Sequence, residues 1–166
     1  MAQITFKGNP VKTAGSLPKV GEQAPDFTVT GEDLQDLKLT DLAGKRVVLN
    51  IFPSIDTGIC AASARHFNED ASSLENTVVL NVSKDLPFAQ KRFCAAEGLE
   101  NVKNGSEFKA ATFSSNYHVI MQDGPLAGLF SRAVVVIDEN GKVIYTEQVP
   151  EIVQEPDYAS AIASLS

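Results

Sequence analysis

The run FPSIDTGIC, residues 52–60, ends on one of only two cysteines in a chain of 166 residues. A β-branched stretch stops at Pro53, and the helix-forming sequence AASARHF follows the sulfur. Cys60 therefore falls in the first turn of a helix, where unpaired N–H groups carry partial positive charge and favour an anion. A thiol so placed can ionise well below the free value of about 8.5, and the thiolate is the nucleophile. Thr57 lies one helical turn before the sulfur, so its hydroxyl could point at it, donating to one atom while accepting from another. Pro53 would stiffen the approach and keep water out. Plainer readings stand beside these. A free cysteine often packs as a small apolar residue, and a Thr before a helix is often only its N-cap.

The second cysteine, Cys94, lies 34 residues further on, so there is no C-x-x-C dithiol. Two cysteines and two histidines, His66 and His118, show none of the close ligand pairs of a zinc site, and no metal or cofactor is called for. A cysteine hydrolase would need a histidine as base, and neither histidine has a motif around it. A permanent disulfide suits an oxidising compartment better than a reducing one.

Fourteen Lys and Arg face 21 Asp and Glu, for a net charge of −7, and no basic run occurs. That balance disfavours binding to nucleic acid or to an anionic membrane surface. The start, MAQITFKGNP, has no apolar core or cleavage site of the signal-peptide kind, and unbroken aliphatic runs such as 133–137 are far too short to span a bilayer. The chain reads as a soluble, cytoplasmic protein whose length suits one domain over residues 1–166.

The elements that must position the two sulfurs follow from pattern. ITFKGNPVKTAG reads as an N-terminal β-hairpin around Gly-Asn-Pro. DFTVT and LKLTDL are short strand candidates, and RVVLNIF and TVVLNVS are buried strands. The segment after Cys60 carries apolar residues at helical spacing. Asp85 predicts a cap for a second helix, with Pro87 in its first turn and Gly98 past its end, placing Cys94 in its last part. Residues 101–116 read as irregular. Residues 133–149 form a hairpin around Glu-Asn-Gly, and a final helix spans Tyr158–Leu165. The order argues an α/β domain with a mixed central sheet.

Pro53-x-x-x-Thr57-x-x-Cys60 matches the PxxxTxxC signature of the peroxiredoxins. NIFPSIDTGICAAS, KDLPFAQKRFC and GPLAGLFSRAVVVIDENG, in that order, resemble the bacterial thiol peroxidase subfamily, a group of atypical two-Cys peroxiredoxins, over nearly the whole chain. Departures fall at Asn104-Gly105-Ser106 and Tyr117-His118, where Thr-Leu-Ser and Tyr-Gly are common.

The resemblance implies a thioredoxin-like fold and an antioxidant peroxidase acting on hydrogen peroxide and organic hydroperoxides. Cys60 would be the peroxidatic cysteine, Thr57 would orient the peroxide, Pro53 would shield the pocket, and Arg132 would hold the thiolate and polarise the O–O bond. On its own, an Arg beside a strand reads as a surface residue. Cys94 would be the resolving cysteine, closing an intramolecular disulfide that thioredoxin reduces. A homodimer built around the active-site face is also implied. Phe52, Ile55, Ile59, Leu86, Phe88 and Leu129 would line an alkyl-binding wall; their plainer reading is ordinary core. Cysteines on two different helices would need local loosening to meet, since a disulfide requires Cα atoms within about 7 Å. Two other functions use the same residues: a redox sensor that passes oxidation on without turnover, and a disulfide oxidoreductase, which the missing dithiol argues against.

Overall fold

Two runs of aliphatic residues form the middle of the molecule: β5 (Arg46–Ile51) and β6 (Thr77–Ser83), paired in parallel from Arg46–Thr77 to Ile51–Val82. The computed structural model describes residues 2–109 and 111–165. Around this pair a seven-stranded mixed sheet assembles. Its other strands are β3 (Thr28–Thr30), β4 (Asp36–Lys38), β7 (Val102–Ser106), β8 (Ala133–Ile137) and β9 (Val143–Gln148), in the spatial order β4-β3-β7-β6-β5-β8-β9. β7 continues the parallel set, while β8 runs antiparallel to β5 and β3 antiparallel to β7.

Strands buried on both faces need cover on both sides. Helices α1 (Gly58–Ala71) and α4 (Tyr158–Ala163) lie on one face with Val48, Val79, Val134, Val136, Phe67 and Tyr158 in a shared core. Helix α2 (Pro87–Glu97) packs beside β7. On the other face Val47, Leu49, Leu80 and Val135 meet Phe27, Phe113 and Tyr117, the last two from α3 (Thr112–Tyr117). Phe113 and Tyr117 stack with ring centroids 4.7 Å apart.

Four local expectations change. The N-terminal hairpin, β1 (Gln3–Phe6) and β2 (Asn9–Lys12), turns at Lys7-Gly8, both with positive φ, and Asn9-Pro10 already belongs to the second strand. That is the type I′ geometry whose twist suits a two-residue hairpin. LKLTDL divides into the end of β4 and a 3-10 turn at Leu39–Leu42. Residues 101–116 contain β7 and all but the last residue of α3. Lastly, Leu86 is the N-cap of α2, with Pro87 following it directly, so Asp85 stands outside the helix.

Gly105 marks a close approach. A Cβ there would lie 2.5 Å from Val29 Cγ2 and 3.1 Å from Val29 Cβ, so β7 beds against β3 only because no side chain intervenes.

Candidate active site

Strand β5 ends at Ile51, and the loop Phe52–Thr57 delivers the chain into α1. Thr57 is the N-cap: its hydroxyl accepts from Cys60 N–H at 3.3 Å and donates to the Ser54 carbonyl at 3.1 Å. The hydroxyl thus does the capping work, and its hydrogen is engaged with the loop. Pro53 is buried at the loop's start. Cys60 has no accessible surface and packs with Phe52, Ile55 and Ala64, together with half-buried Phe93 and Leu99.

Arg132 stands directly before β8, which pairs with β5, and this neighbourhood carries its side chain under the first turn of α1. Its Nη2 lies 3.3 Å from Cys60 Sγ, and its Nε donates to the Ile152 carbonyl at 2.8 Å. The guanidinium is 2 % exposed, and Nη1 donates to no described residue. Among the described residues no carboxylate forms an ion pair with it.

The Cys60 loop is held from α2's side. Asp85 accepts from Ser54 Oγ at 2.7 Å, Ile55 N–H at 2.7 Å and Ser83 Oγ at 2.6 Å. Ser106 Oγ donates to the Asp85 carbonyl. Further out, Arg92 lies 3.7 Å from Asp56, and Arg65 of α1 makes a two-pronged pair with Glu97 of α2 at 3.0 Å. That exposed pair raises the Arg65 pKa and lowers that of Glu97, chiefly through the hydrogen bonds between them. Sequence reading missed the Asp85 clamp because its partners come from another loop.

Cys94 is also a free thiol, buried in the last turns of α2. Asn104 Nδ2 donates to its sulfur at 3.1 Å and to Glu32 Oε1 at 2.7 Å. Burial pushes the Cys94 thiol pKa up, the Asn104 bond pulls it down, and the Glu32 charge pushes it up. A cavity of about 390 Å³ beside it is lined by Glu32, Lys91, Leu99 and Glu100 among others.

Of the proposed apolar wall, only Phe52 and Ile55 belong to the core cluster around Cys60. Ile59 is half-buried within the first turn. Leu86 and Phe88 are surface residues at the start of α2, 50 % and 65 % exposed, and Leu129 packs with Ile4, Val11, Met121 and Ile152. Phe93 and Leu99 were missed, although Phe93 directly precedes the second cysteine. His66 stacks on Tyr158 at 3.7 Å, and His118 ends α3 with φ 58. Among the described residues no His, Cys, Asp and Glu group is placed to hold a metal ion.

The sequence pattern of the Redoxin family matches residues 19–162. A solved peroxiredoxin-like protein from Aquifex aeolicus superposes with a TM-score of 0.92 at 39 % identity, over 98 % of this chain and 95 % of its own. A thiol peroxidase structure from Chromobacterium violaceum shares the fold, with a TM-score of 0.88 at 19 % identity over 95 % and 91 % of the chains. A thioredoxin-like sheet presenting a buried thiol at a helix start defines the class, that of the peroxiredoxins. Curated relatives narrow it. A thiol peroxidase from Corynebacterium glutamicum is 51 % identical over 166 residues, the whole of both chains, and one from Mycobacterium bovis is 56 % identical over 165 residues, 99 % of each. The chain belongs to the Redoxin family and, within it, to the thiol peroxidases.

Proposed function

We propose that Cys60 and Cys94 carry out the peroxidase cycle as a reacting and a resolving sulfur. The Cys60 thiolate attacks the outer oxygen of a hydroperoxide; an S–O bond forms, the O–O bond breaks, and the alkoxide leaves as alcohol after taking a proton. The product is a Cys60 sulfenic acid. Cys94 then attacks that sulfur, the S–O bond breaks, hydroxide departs as water, and a Cys60–Cys94 disulfide remains. A dithiol reductant of the thioredoxin class restores both thiols by exchange.

The observation that carries this reading is the buried Arg132 guanidinium on the Cys60 sulfur. A buried cation with no carboxylate partner among the described residues is costly, and the Cys60 sulfur 3.3 Å away is where a countercharge would sit. Its unengaged Nη1 is the donor for a peroxide oxygen as charge develops there. Thr57 would orient the peroxide by releasing the Ser54 carbonyl, and Pro53 would shield the sulfur. Phe52 and Ile55 are packed on the sulfur and would offer an alkyl hydroperoxide an apolar wall once the site opens, at about 0.8 kcal/mol per CH₂ buried.

Among the described residues no helix is long and apolar enough to cross a membrane. The proposed setting is the cytoplasm, where thiols stay reduced, and the proposed assembly is a homodimer. Closing the disulfide would loosen the α1 start or the end of α2, because the two thiols sit on different helices, each buried against its own partner, Arg132 at Cys60 and Asn104 at Cys94.

Mass spectrometry after one equivalent of peroxide tests the cycle: one intrachain bond joins the two cysteine peptides. Cys60→Ser consumes no peroxide, and Cys94→Ser oxidises once and stalls. With thioredoxin, its reductase and NADPH, the unaltered chain turns over catalytically; stoichiometric oxidation alone would leave it a sensor and defeat the proposal.

A further inference from the structure

Parallel central strands are normally filled with aliphatic side chains, yet β5, β6 and β7 each carry a buried asparagine at the same level. Asn50 pairs in register with Asn81, and Asn81 with Asn104. Their exposures are 1 %, 0 % and 2 %. Asn50 Nδ2 donates to Asn81 Oδ1 at 2.9 Å, and Asn81 Nδ2 donates to Asn104 Oδ1 at 3.2 Å. One end of this ladder reaches α1: Asn50 Nδ2 lies 3.3 Å from Ser63 Oγ, which donates to the Cys60 carbonyl at 2.8 Å. The other end is the pair of bonds from Asn104 to Cys94 Sγ and Glu32.

The direction of the ladder is fixed at that end. A carboxylate only accepts, so the Asn104 nitrogen must face Glu32, and the same nitrogen then donates to the sulfur. Burying three amides is costly unless they are bonded; here every side-chain polar atom of the three but Asn50 Oδ1 has a partner, and an aliphatic ladder would avoid the requirement altogether. Over Val or Leu the amides add bonds to Ser63 and Glu32 and, at the sulfur, a fixed donor on Cys94.

We propose that Asn104 is a positioning residue for the disulfide-forming step, holding the Cys94 sulfur and supporting the anion that attacks Cys60. This rests on the reading of Cys94 as the resolving thiol. The groups around the sulfur divide by sign. Burial and Glu32, from the turn after β3, oppose the anion, and Glu100 on the cavity wall adds to them. Lys91 of α2 lines the same cavity with opposite charge, and Glu97 is occupied by Arg65. Asn104 is the donor that touches the sulfur itself.

The test follows disulfide closure in single turnover, by acid quench and mass spectrometry, on both sides of neutral pH. Asn104→Leu removes the donor at similar volume, and closure should turn on at higher pH, with about tenfold loss at neutral pH for each unit of displacement. Glu32→Gln, at an exposed site, should turn it on at lower pH. An Asn104 with only a structural role would change the yield of folded protein and leave that pH where it was. In the unaltered reduced chain, the Asn104 side-chain amide signal in NMR should follow the titration of Cys94, a reading that needs no variant. An amide signal indifferent to that titration, or closure profiles unmoved in both variants, overturns the inference alone. Absence of any Cys60–Cys94 bond in the unaltered chain overturns the resolving role as well.

Discussion

At the scale of single residues, the site turns on what a guanidinium can do that a simpler cation cannot. Arg132 spends Nε on the Ile152 carbonyl and Nη2 on the Cys60 sulfur, which leaves Nη1 for a third partner. Arg132→Ala should slow peroxide consumption on the order of 10²- to 10³-fold, the usual loss for one donor aimed at developing charge. Arg132→Lys keeps the charge but has no planar fork to serve both anchors, so its rate should fall between the two. Stopped-flow competition for peroxide measures both, and an unslowed Ala variant would remove Arg132 from the reaction. The Thr57–Cys60 spacing was legible because both residues share one turn. Arg132 was not readable from its neighbourhood alone, because its partner is 72 residues away and an arginine beside a strand is ordinarily exposed.

Among the elements, the joint between the Cys60 loop and α2 is the one to test. Asp85 accepts a backbone N–H from Ile55 as well as two hydroxyls, so Asp85→Ala leaves a partly buried amide unpaired. That should cost about 1–3 kcal/mol, read as a lower urea midpoint, with faster hydrogen exchange at the Ile55 amide. Unchanged exchange at Ile55 would mean that the clamp is not what holds the loop. Strands β5, β6 and β8 were legible as β-branched runs. β7 was not, because VKNGS buries Asn104, Gly105 and Ser106 and has no apolar alternation. Pairing with β6, and with β3 at Ser106, makes it a strand. The cap assigned to Asp85 failed for a related reason: Pro87 fixes the helix start at Leu86, freeing Asp85 for a loop that sequence distance hides.

Across the whole molecule, the small N-terminal hairpin is tied to the segment that holds Arg132. Glu151 accepts from Lys7 and Gly8 N–H, from Thr5 Oγ1 and from Val153 N–H, and its pKa is held down at about 2, below the usual 4.5, by these bonds, those from Val153 and Gly8 foremost. The next residue, Ile152, supplies the carbonyl for Arg132 Nε. A depressed carboxylate pKa stabilises the fold above the unfolded value and loses that contribution as pH falls from about 4.5 toward about 2. Thermal unfolding of Glu151→Gln should therefore give a lower midpoint than the parent at neutral pH, with the gap closing over that acid window. A gap independent of pH would show that the carboxylate's charge plays no part. The hairpin itself was visible in the sequence; its docking was not, since it joins the two ends of the chain.

Gly105 gives β7 a consequence of its own. With Val29 Cγ2 only 2.5 Å from where a methyl would stand, even alanine would lever the strand outward from β3. Alternate residues face opposite sides of a strand, so that displacement on one side would swing Asn104 on the other. The reach of an amide toward a sulfur is metered here by a missing methyl group on the far side of the sheet.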